Sequence, residues 1–370
     1  MKVVVINILF VITGLGMGGA ETQVCNLADE LAALGHEVSI IYLSGDKVVS
    51  PLNLEVKLIG LNLENNPLSL LVAFNSLRKL LKKTKPDVVH SHMVHANIIT
   101  RLVRLFCKIP VLISSAHSSN EGGKFRMCGY KYTHRLSDLT TNVGEISVQS
   151  YYDKKAAPVG ELISMVNGID TNRFNPLECS TIRTDLNLNS SERLFLAVGR
   201  NDEAKDYSNL LKAVGALTKK AGFHVAIVGH NTSLLQAEID RLCIQGKVTV
   251  LGLRRDVNQL MASADALVMS SSWEGLPIVI GEAMASGCNI VTTDAGGCRE
   301  WLTEHESVVP TQNSEQLARA IENKLEQPDE EWVRISKANR QHVVDNFSID
   351  GVVTKWLQYY KRPESAFDVE

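Results

Sequence analysis

The chain has 370 residues, long for one hydrophobic core and comfortable for two. Its 45% hydrophobic and 21% charged residues exclude a disordered or fibrous protein. A formal net charge of −3, with no basic stripe interleaved with aromatics, argues against a nucleic-acid partner.

The chain opens on an apolar run, Val3–Ile12, that reads as the buried first strand of a parallel sheet. It is not read as a signal peptide, because the nearest small-x-small spot, Gly14-Leu15-Gly16, lies inside the turn that the strand serves. A helical stretch Ala20–Leu34 follows, then strands Glu37–Tyr42 and Val56–Leu61, and a helix Leu68–Lys83. Next come strand Val88–His90, helix Ala96–Phe106, and strands Val111–Ser114 and Leu139–Val143. Short β-branched runs alternating with helical ones predict a doubly wound parallel sheet. From Asn167 to Ser191 the periodicity fades and Asn, Ser and Thr dominate, as in a linker.

The alternation then restarts. Strands are expected at Leu194–Val198, His224–Val228, Val248–Leu251, Ala266–Met269 and Asn289–Thr292, with helices at Tyr207–Ala221, Ser233–Gln245, Val257–Ala262 and Pro277–Ser286. A last helical segment, Ser348 to Tyr360, carries Trp356, Tyr359 and Tyr360 but has no strand partner, so it is expected to pack on another part of the protein. The seven cysteines are scattered, odd in number and never in C-x-x-C spacing, which argues against a disulfide framework and a zinc site and for a reducing compartment. No stretch of about 18 unbroken apolar residues predicts a spanning helix. A cytoplasmic protein, at most peripheral to a membrane, is expected.

Gly14-Leu15-Gly16-Met17-Gly18-Gly19 matches G-x-G-x-x-G between a strand and a helix, the text of a dinucleotide site. The second strand, however, runs into Leu43-Ser44-Gly45 where a ribose-binding acid belongs, and Asp46 arrives late. The better reading is a loop whose amides face a ligand, with Glu21 offsetting the positive end of the following helix.

The second half holds the densest chemistry, Ser270-Ser271-Ser272-Trp273-Glu274-Gly275-Leu276-Pro277, leading into a helix that Gly287 ends. Such a turn offers free backbone N–H groups to a phosphate. Glu282 suits two vicinal ribose hydroxyls, and an acid on so apolar a helix needs a partner. Glu274 can reach the polar groups of a sugar. Arg200 and Lys205, at the carboxyl end of a strand, together suit a diphosphate leaving group. The chain has no D-x-D, H-E-x-x-H or G-x-x-x-x-G-K-[ST], so positive side chains and helix amides are expected to do a metal's work.

These residues resemble the retaining GT-B glycosyltransferases of family 4. The match runs in family order: Gly18-Gly19-Ala20-Glu21, His90-Ser91-His92, Asn167-Gly168-Ile169-Asp170 with Phe174 and Pro176, and Arg200 with Lys205. It continues through Glu274-Gly275, Glu282 to Gly287, and Gly296-Gly297 with Glu300. The resemblance implies an α/β GT-B fold, two Rossmann-like doubly wound domains facing across a cleft. The acceptor-side domain would be 1–168, completed by 348–370 as the C-terminal helix crosses back; 169–190 would be the linker and 191–347 the donor-side domain. By the same likeness Arg200 and Lys205 bind the diphosphate, Glu282 the ribose and Glu274 the transferred sugar. Gly275 and Leu276 line the donor site, and Gly18 and Gly19 approach the sugar phosphate. The family commonly has few acids between its Arg and Lys; here Asn201-Asp202-Glu203-Ala204 intervene, and both acids are expected to point outward.

The resemblance also places His117 near the donor sugar, as a catalytic contact or a structural hydrogen-bonder, with His92 a lesser candidate of the same kind. The expected chemistry is front-face displacement with retention, the leaving phosphate taking the acceptor's proton and no enzyme nucleophile. The expected donor is a nucleotide-diphosphate sugar, a UDP-sugar by preference, with no cofactor and no metal. The expected acceptor is a saccharide, free or linked to undecaprenyl diphosphate, in bacterial surface-polysaccharide assembly. Leu68–Lys85 sets Leu70, Leu71, Phe74, Leu77 and Leu81 beside Arg78, Lys79, Lys82, Lys83 and Lys85, with Arg101, Arg104 and Lys108 as a second basic set. That pattern fits an anionic inner membrane or a core helix with a solvated face, and both stay open. A nucleotide-sugar epimerase of the same architecture and an NAD(P)-binding protein are the alternatives.

Overall fold

The computed structural model describes residues 4–16, 18–63, 67–119, 122–303 and 308–361, the side chains of 67 and 68 excepted. Val3 at the start of the expected first strand, Met17 in the glycine turn and residues 362–370 of the C-terminal segment lie outside the described residues. The chain divides into two compact units, Met1–Gly168 with Ile349–Glu370, and Ile169–Ser348.

In the first unit the strands are β1 (Asn7–Ile12), β2 (Glu37–Tyr42), β3 (Lys57–Gly60), β4 (Val88–His92), β5 (Val111–Ser115), β6 (Leu139–Asn142) and β7 (Leu162–Ser164). The helices are α1 (Gly19–Ala33), α2 (Pro67–Thr84), α3 (Val94–Arg104), α4 (Lys124–Thr133) and α5 (Glu145–Asp153). The sheet is parallel in the order β3-β2-β1-β4-β5-β6-β7. Side chains alternate across it. Ile8, Phe10 and Ile12 share a core with α1, while Leu9 and Val11 share another with Ala73, Leu77 and Leu81 of α2 and Ile99 and Val103 of α3. A sheet covered on both faces explains why β1 reads as an unbroken apolar run. The run expected from Val3 begins as strand only at Asn7, and Val4 and Val5 are exposed.

In the second unit the strands are β8 (Arg193–Val198), β9 (Phe223–Val228), β10 (Val248–Gly252), β11 (Ala266–Met269), β12 (Asn289–Thr293) and β13 (Val308–Val309). The helices are α6 (Ile182–Asp185), α7 (Tyr207–Ala216), α8 (Gln236–Arg241), α9 (Val257–Ser263), α10 (Ile278–Ala285), α11 (Cys298–Trp301), α12 (Ser314–Leu325) and α13 (Asp329–Phe347). Its parallel order is β10-β9-β8-β11-β12-β13. The stretch read as a linker lies within this unit from Ile169 on, with Phe174 and Ile182 buried.

The last helix, α14 (Ile349–Tyr360), returns to the first unit and packs against α1. Ile349, Val352, Val353, Trp356 and Tyr360 are all buried in the core shared with β1. Each buried side chain of this size contributes roughly 1.5–3 kcal/mol, enough together to hold the helix there. The second basic set is largely not a surface set. Arg101 is fully buried and donates to Ser114, Thr133 and Thr140 hydroxyls, and Arg104 pairs with Asp138. Both arginines tie α3 to the sheet, and only Lys108 of the three is exposed.

Candidate active site

Each sheet reverses its strand order once beside its first strand, between β1 and β4 and between β8 and β11. Open α/β sheets bind ligands at the carboxyl ends of strands at such points. The motifs singled out in the sequence follow these strands.

In the second unit, β8 runs into Gly199 (φ +155) and β9 into Gly229 (φ +149). A Cβ on Gly229 would stand 1.8 Å from the Gly199 carbonyl oxygen, so glycine alone lets these strand ends meet. A Cβ on Gly199 would stand 2.6 Å from Cε of Lys205, whose stem lies over it. Lys205 Nζ donates to Glu274 Oε1 at 2.6 Å, and Ser271 Oγ donates to the same oxygen at 2.7 Å. The two charged side chains are only 19% and 17% exposed, which makes this pair stronger than a surface ion pair. Arg200 is not part of it. That residue is exposed, with Nη2 3.5 Å from Asp202 Oδ2. Asp202 and Glu203 are both exposed; Asp202 pairs with Arg200 at the surface and accepts from the Lys205 backbone N–H at 3.2 Å.

Two turns hold the Glu274 loop. Gly296 lies at φ +56, where a Cβ would stand 2.4 Å from the Glu274 carbonyl oxygen. Gly297 N donates to the Gly275 carbonyl at 2.7 Å. Leu276 is buried beside them. Pro277 caps α10 in an extended conformation rather than filling its first helical position. At the other end Gly287 (φ +85) donates to Met284 and Cys288 N to Ala283, a Schellman closure. Glu282 stands in the second turn of α10, half-buried, and no described group hydrogen-bonds its carboxylate. Burial pushes its pKa up to about 7, and the nearby positive charge of Arg173 offsets this in part. Arg173 carried no sequence signal, since it lies 109 positions before the acid it faces.

In the first unit, Gly18 caps α1, and a Cβ there would stand 2.5 Å from Glu21 Oε2. Glu21 therefore folds its carboxylate back over Gly18 at the helix N-terminus, the position a dinucleotide phosphate would need. With no acid at the end of β2, this disfavours the NAD(P) reading. Gly19 is the first residue of α1 and exposed.

His90 and His92 close β4, and His117 follows β5. His90 bonds the Tyr360 hydroxyl through Nδ1 and the Ser115 hydroxyl through Nε2, both at 2.7 Å. Its ring lies 4.1 Å from that of His92 and 4.4 Å from that of Trp356. His92 Nδ1 bonds His117 Nε2 at 2.9 Å. Burial holds all three imidazoles neutral, His117 at about 4 and the other two well below their ordinary value. Tyr360 was legible only as an aromatic on an unpartnered helix; its contact spans 270 positions. Among the described residues no group of three or more His, Cys, Asp or Glu could hold a metal ion.

Comparison with known proteins gives the family and the fold. The family model for glycosyltransferase family 4 matches residues 17–173, and that for glycosyl transferases group 1 matches residues 180–342. One relative is a Campylobacter jejuni GalNAc-alpha-(1->4)-GalNAc-alpha-(1->3)-diNAcBac-PP-undecaprenol alpha-1,4-N-acetyl-D-galactosaminyltransferase, 27% identical over 97% of this chain and 99% of its own. Another is an Escherichia coli UDP-Gal:alpha-D-GlcNAc-diphosphoundecaprenol alpha-1,3-galactosyltransferase, 24% identical over 60% of this chain and 61% of its own. Among solved structures, a Rickettsia africae glycosyltransferase superimposes with a TM-score of 0.84 at 20% identity, covering 96% of this chain and 98% of that one. Two consecutive family models, two Rossmann-like parallel sheets and this fold likeness together assign the chain to the GT-B glycosyltransferases of group 1 and family 4.

Proposed function

We propose that this glycosyltransferase moves a hexose or N-acetylhexosamine from a UDP-sugar onto a saccharide carried on undecaprenyl diphosphate, with retention and without a metal. The observation that carries the reading is the Lys205–Glu274 pair at the carboxyl end of the second sheet, beside the N-terminus of α10. An incoming diphosphate competes for Lys205 and frees Glu274 to accept hydrogen bonds from the sugar hydroxyls. Lys205 and the α10 amides supply the positive charge that the leaving diphosphate needs, and Arg200, exposed just past the end of β8, adds to it. Glu282 takes the ribose hydroxyls, and Gly275 and Leu276 line the donor. Gly18 and Gly19 offer backbone amides to the sugar phosphate, and His117 touches the sugar. The leaving phosphate oxygen takes the acceptor proton on the face it departs from, so configuration is kept without an enzyme nucleophile. Trapping of a covalent glycosyl-enzyme would sink that step.

The acceptor class rests on the relatives, whose names specify undecaprenol-linked saccharides. A peripheral membrane contact fits it. Leu70, Leu71 and Val72 of α2 are exposed, as are Leu105 and Phe106 after α3, and Phe106 meets Phe74 edge-on at 5.5 Å. Lys79, Lys82, Lys83 and Lys85 are exposed on or just after the same helix, whereas Leu77 and Leu81 belong to the core. Apolar side chains beside lysines suit anionic headgroups. Among the described residues no helix is long and apolar enough to cross a membrane.

The test is a thermal-shift panel of UDP-, GDP-, ADP- and TDP-sugars with EDTA present, on the wild type and Glu282→Ala. Selective stabilisation by UDP-sugars, lost in the variant, supports the donor reading. Stabilisation that needs divalent metal, or follows another base, overturns that part of it.

A further inference from the structure

A cavity of about 650 Å³ opens on the carboxyl edge of the second sheet, and no role proposed above uses it. Its walls come from the segments that follow β8, β9, β11 and β13, so it lies wholly within the second unit. Trp273 and Leu234 line it while 55% and 71% exposed, two large apolar side chains that the fold leaves uncovered. Asp202, Glu203, Asp206 and Glu238 line it as well. Two of these acids are paired and a third is bonded on both oxygens. Asp202 faces Arg200, and Glu238 Oε1 accepts from Ser208 Oγ at 2.8 Å and from Arg241 Nη2 at 3.0 Å. Asp206 accepts from the Asn209 backbone N–H at 3.2 Å, capping α7, and from Ser272 Oγ at 3.0 Å.

This lining selects among ligands. A diphosphate or an anionic headgroup would meet four carboxylates, and like charge turns it away. A bare cation would have to compete with Arg200, Arg241 and the two hydrogen bonds on Asp206. What the cavity offers instead is acceptor oxygens beside an exposed indole, in a volume typical of small-molecule sites. Carboxylate oxygens accept from hydroxyls, and a flat aromatic face covers the apolar C–H face of a sugar ring. We infer that this cavity is a second saccharide site, in which an uncharged sugar stacks on Trp273 and donates its hydroxyls to Glu203, Asp206 and Glu238. It adjoins the donor residues without sharing them. Lys205 and Glu274 bond each other outside the cavity, whereas their chain neighbours Asp206 and Trp273 line it. The two segments are joined by Ser272 N donating to the Ala204 carbonyl at 2.7 Å and Ser270 Oγ to the Lys205 carbonyl at 2.9 Å. The position of this site beside a donor sugar rests on the reading of Lys205 and Glu274 proposed above; its chemistry does not.

The test uses the full-length protein and its own fluorescence. Of the four tryptophans, Trp301, Trp332 and Trp356 are buried, so Trp273 alone is open to a quencher in solution. Caesium ion, which the carboxylates admit, should quench the wild type, and Trp273→Phe should set the unquenched floor. N-acetylglucosamine, N-acetylgalactosamine, galactose and chitotriose are each added without nucleotide, up to about 50 mM, enough to fill a site with a millimolar Kd. At least one is expected to bring wild-type quenching close to that floor. Saturation-transfer NMR on the same saccharide should show it bound to the wild type and to Trp273→Phe. Trp273→Ala, which lacks a ring, should bind it at least about tenfold more weakly. The phenylalanine variant keeps the test valid if the alanine variant fails to fold. Protection by none of the saccharides overturns the inference, as does protection by spermidine alone or by a UDP-sugar alone, or equal binding to Trp273→Ala. Glu282→Ala separates this site from the donor reading: it should lose UDP-sugar stabilisation and keep saccharide protection. Stabilisation that persists there overturns the donor reading and leaves the saccharide site standing.

Discussion

The carboxyl edges of the two sheets invite comparison because each lies at a strand-order reversal. In the second unit the edge is drawn together by backbone: Gly199 against Gly229, and Gly296 and Gly297 against the Glu274 loop. On that frame stand charges, Lys205 on Glu274 and the unbonded carboxylate of Glu282. In the first unit the edge is drawn together by side chains, a stack running from Trp356 through His90 and His92 to His117, with no net charge on any ring. A diphosphate calls for fixed charge, and fixed charge needs a rigid backbone under it. A sugar calls for oriented neutral donors and acceptors, which aromatic packing provides.

The largest effect should come from the backbone frame. Gly229→Ala puts a Cβ inside contact distance of a carbonyl and forces an unfavourable φ, so a loss of about 3–5 kcal/mol is expected by calorimetry. Gly14→Ala in the first unit meets only the Ser44 carbonyl, at 3.0 Å, and should cost about 1 kcal/mol. Equal losses would break the contrast. Next is the charge. Lys205→Ala should lower turnover by about 10²–10³-fold, the scale of losing one preorganised electrostatic contact, while His117→Ala lowers it about tenfold. Matching losses would mean that both edges work by charge.

Much of this frame was legible in the chain. The strand Ala266–Met269 was bounded correctly, and most other strands to within one or two residues, because strands covered on both faces are short apolar runs between polar ends. Helices with polar surfaces fared worse. The helix expected over Ser233–Gln245 is a 3₁₀ turn, Thr232–Leu235, followed by the short α8, and the long, polar α13 was not anticipated. At the site, residue types near strand ends pointed to loops that the fold places at the carboxyl ends of the two sheets. The pairings could not be read, since Lys205 and Glu274 lie 69 positions apart and His90 and Tyr360 lie 270 apart. The surface pair of Arg200 and Asp202 is a further pairing that residue types alone did not give.

Acidity separates the two edges in opposite directions. The folded pKa of Glu282 is raised from 4.5 to about 7, so its contribution to stability is full below 4.5 and is lost as pH rises through 7. Glu282→Gln should therefore gain up to about 3 kcal/mol over the wild type at pH 8 and almost nothing at pH 4.5, read from unfolding curves. The folded pKa of His117 is lowered from 6.5 to about 4, so its contribution is full above 6.5 and is lost as pH falls through 4. His117→Gln should flatten the acid side of the stability profile and leave the alkaline side unchanged. If one substitution altered both sides, the two edges would not titrate independently.

The smallest effect expected is also the one that asks most directly why the last helix belongs to the first unit. Tyr360→Phe keeps the ring that stacks on Trp356 at 6.0 Å and removes only the hydroxyl on His90 Nδ1. Apolar packing should hold the helix in place, so the cost should be about 1 kcal/mol, that of a single hydrogen bond whose partner stays buried. Its site effect should be clearer than its stability effect. With Nδ1 unpartnered, His90 loses one of the two bonds that pin its ring beneath His92, and the His92–His117 contact loosens with it. A modest fall in turnover at unchanged donor affinity would then trace the side-chain-built edge back to the end of the chain. A change in stability alone would leave α14 as packing and nothing more.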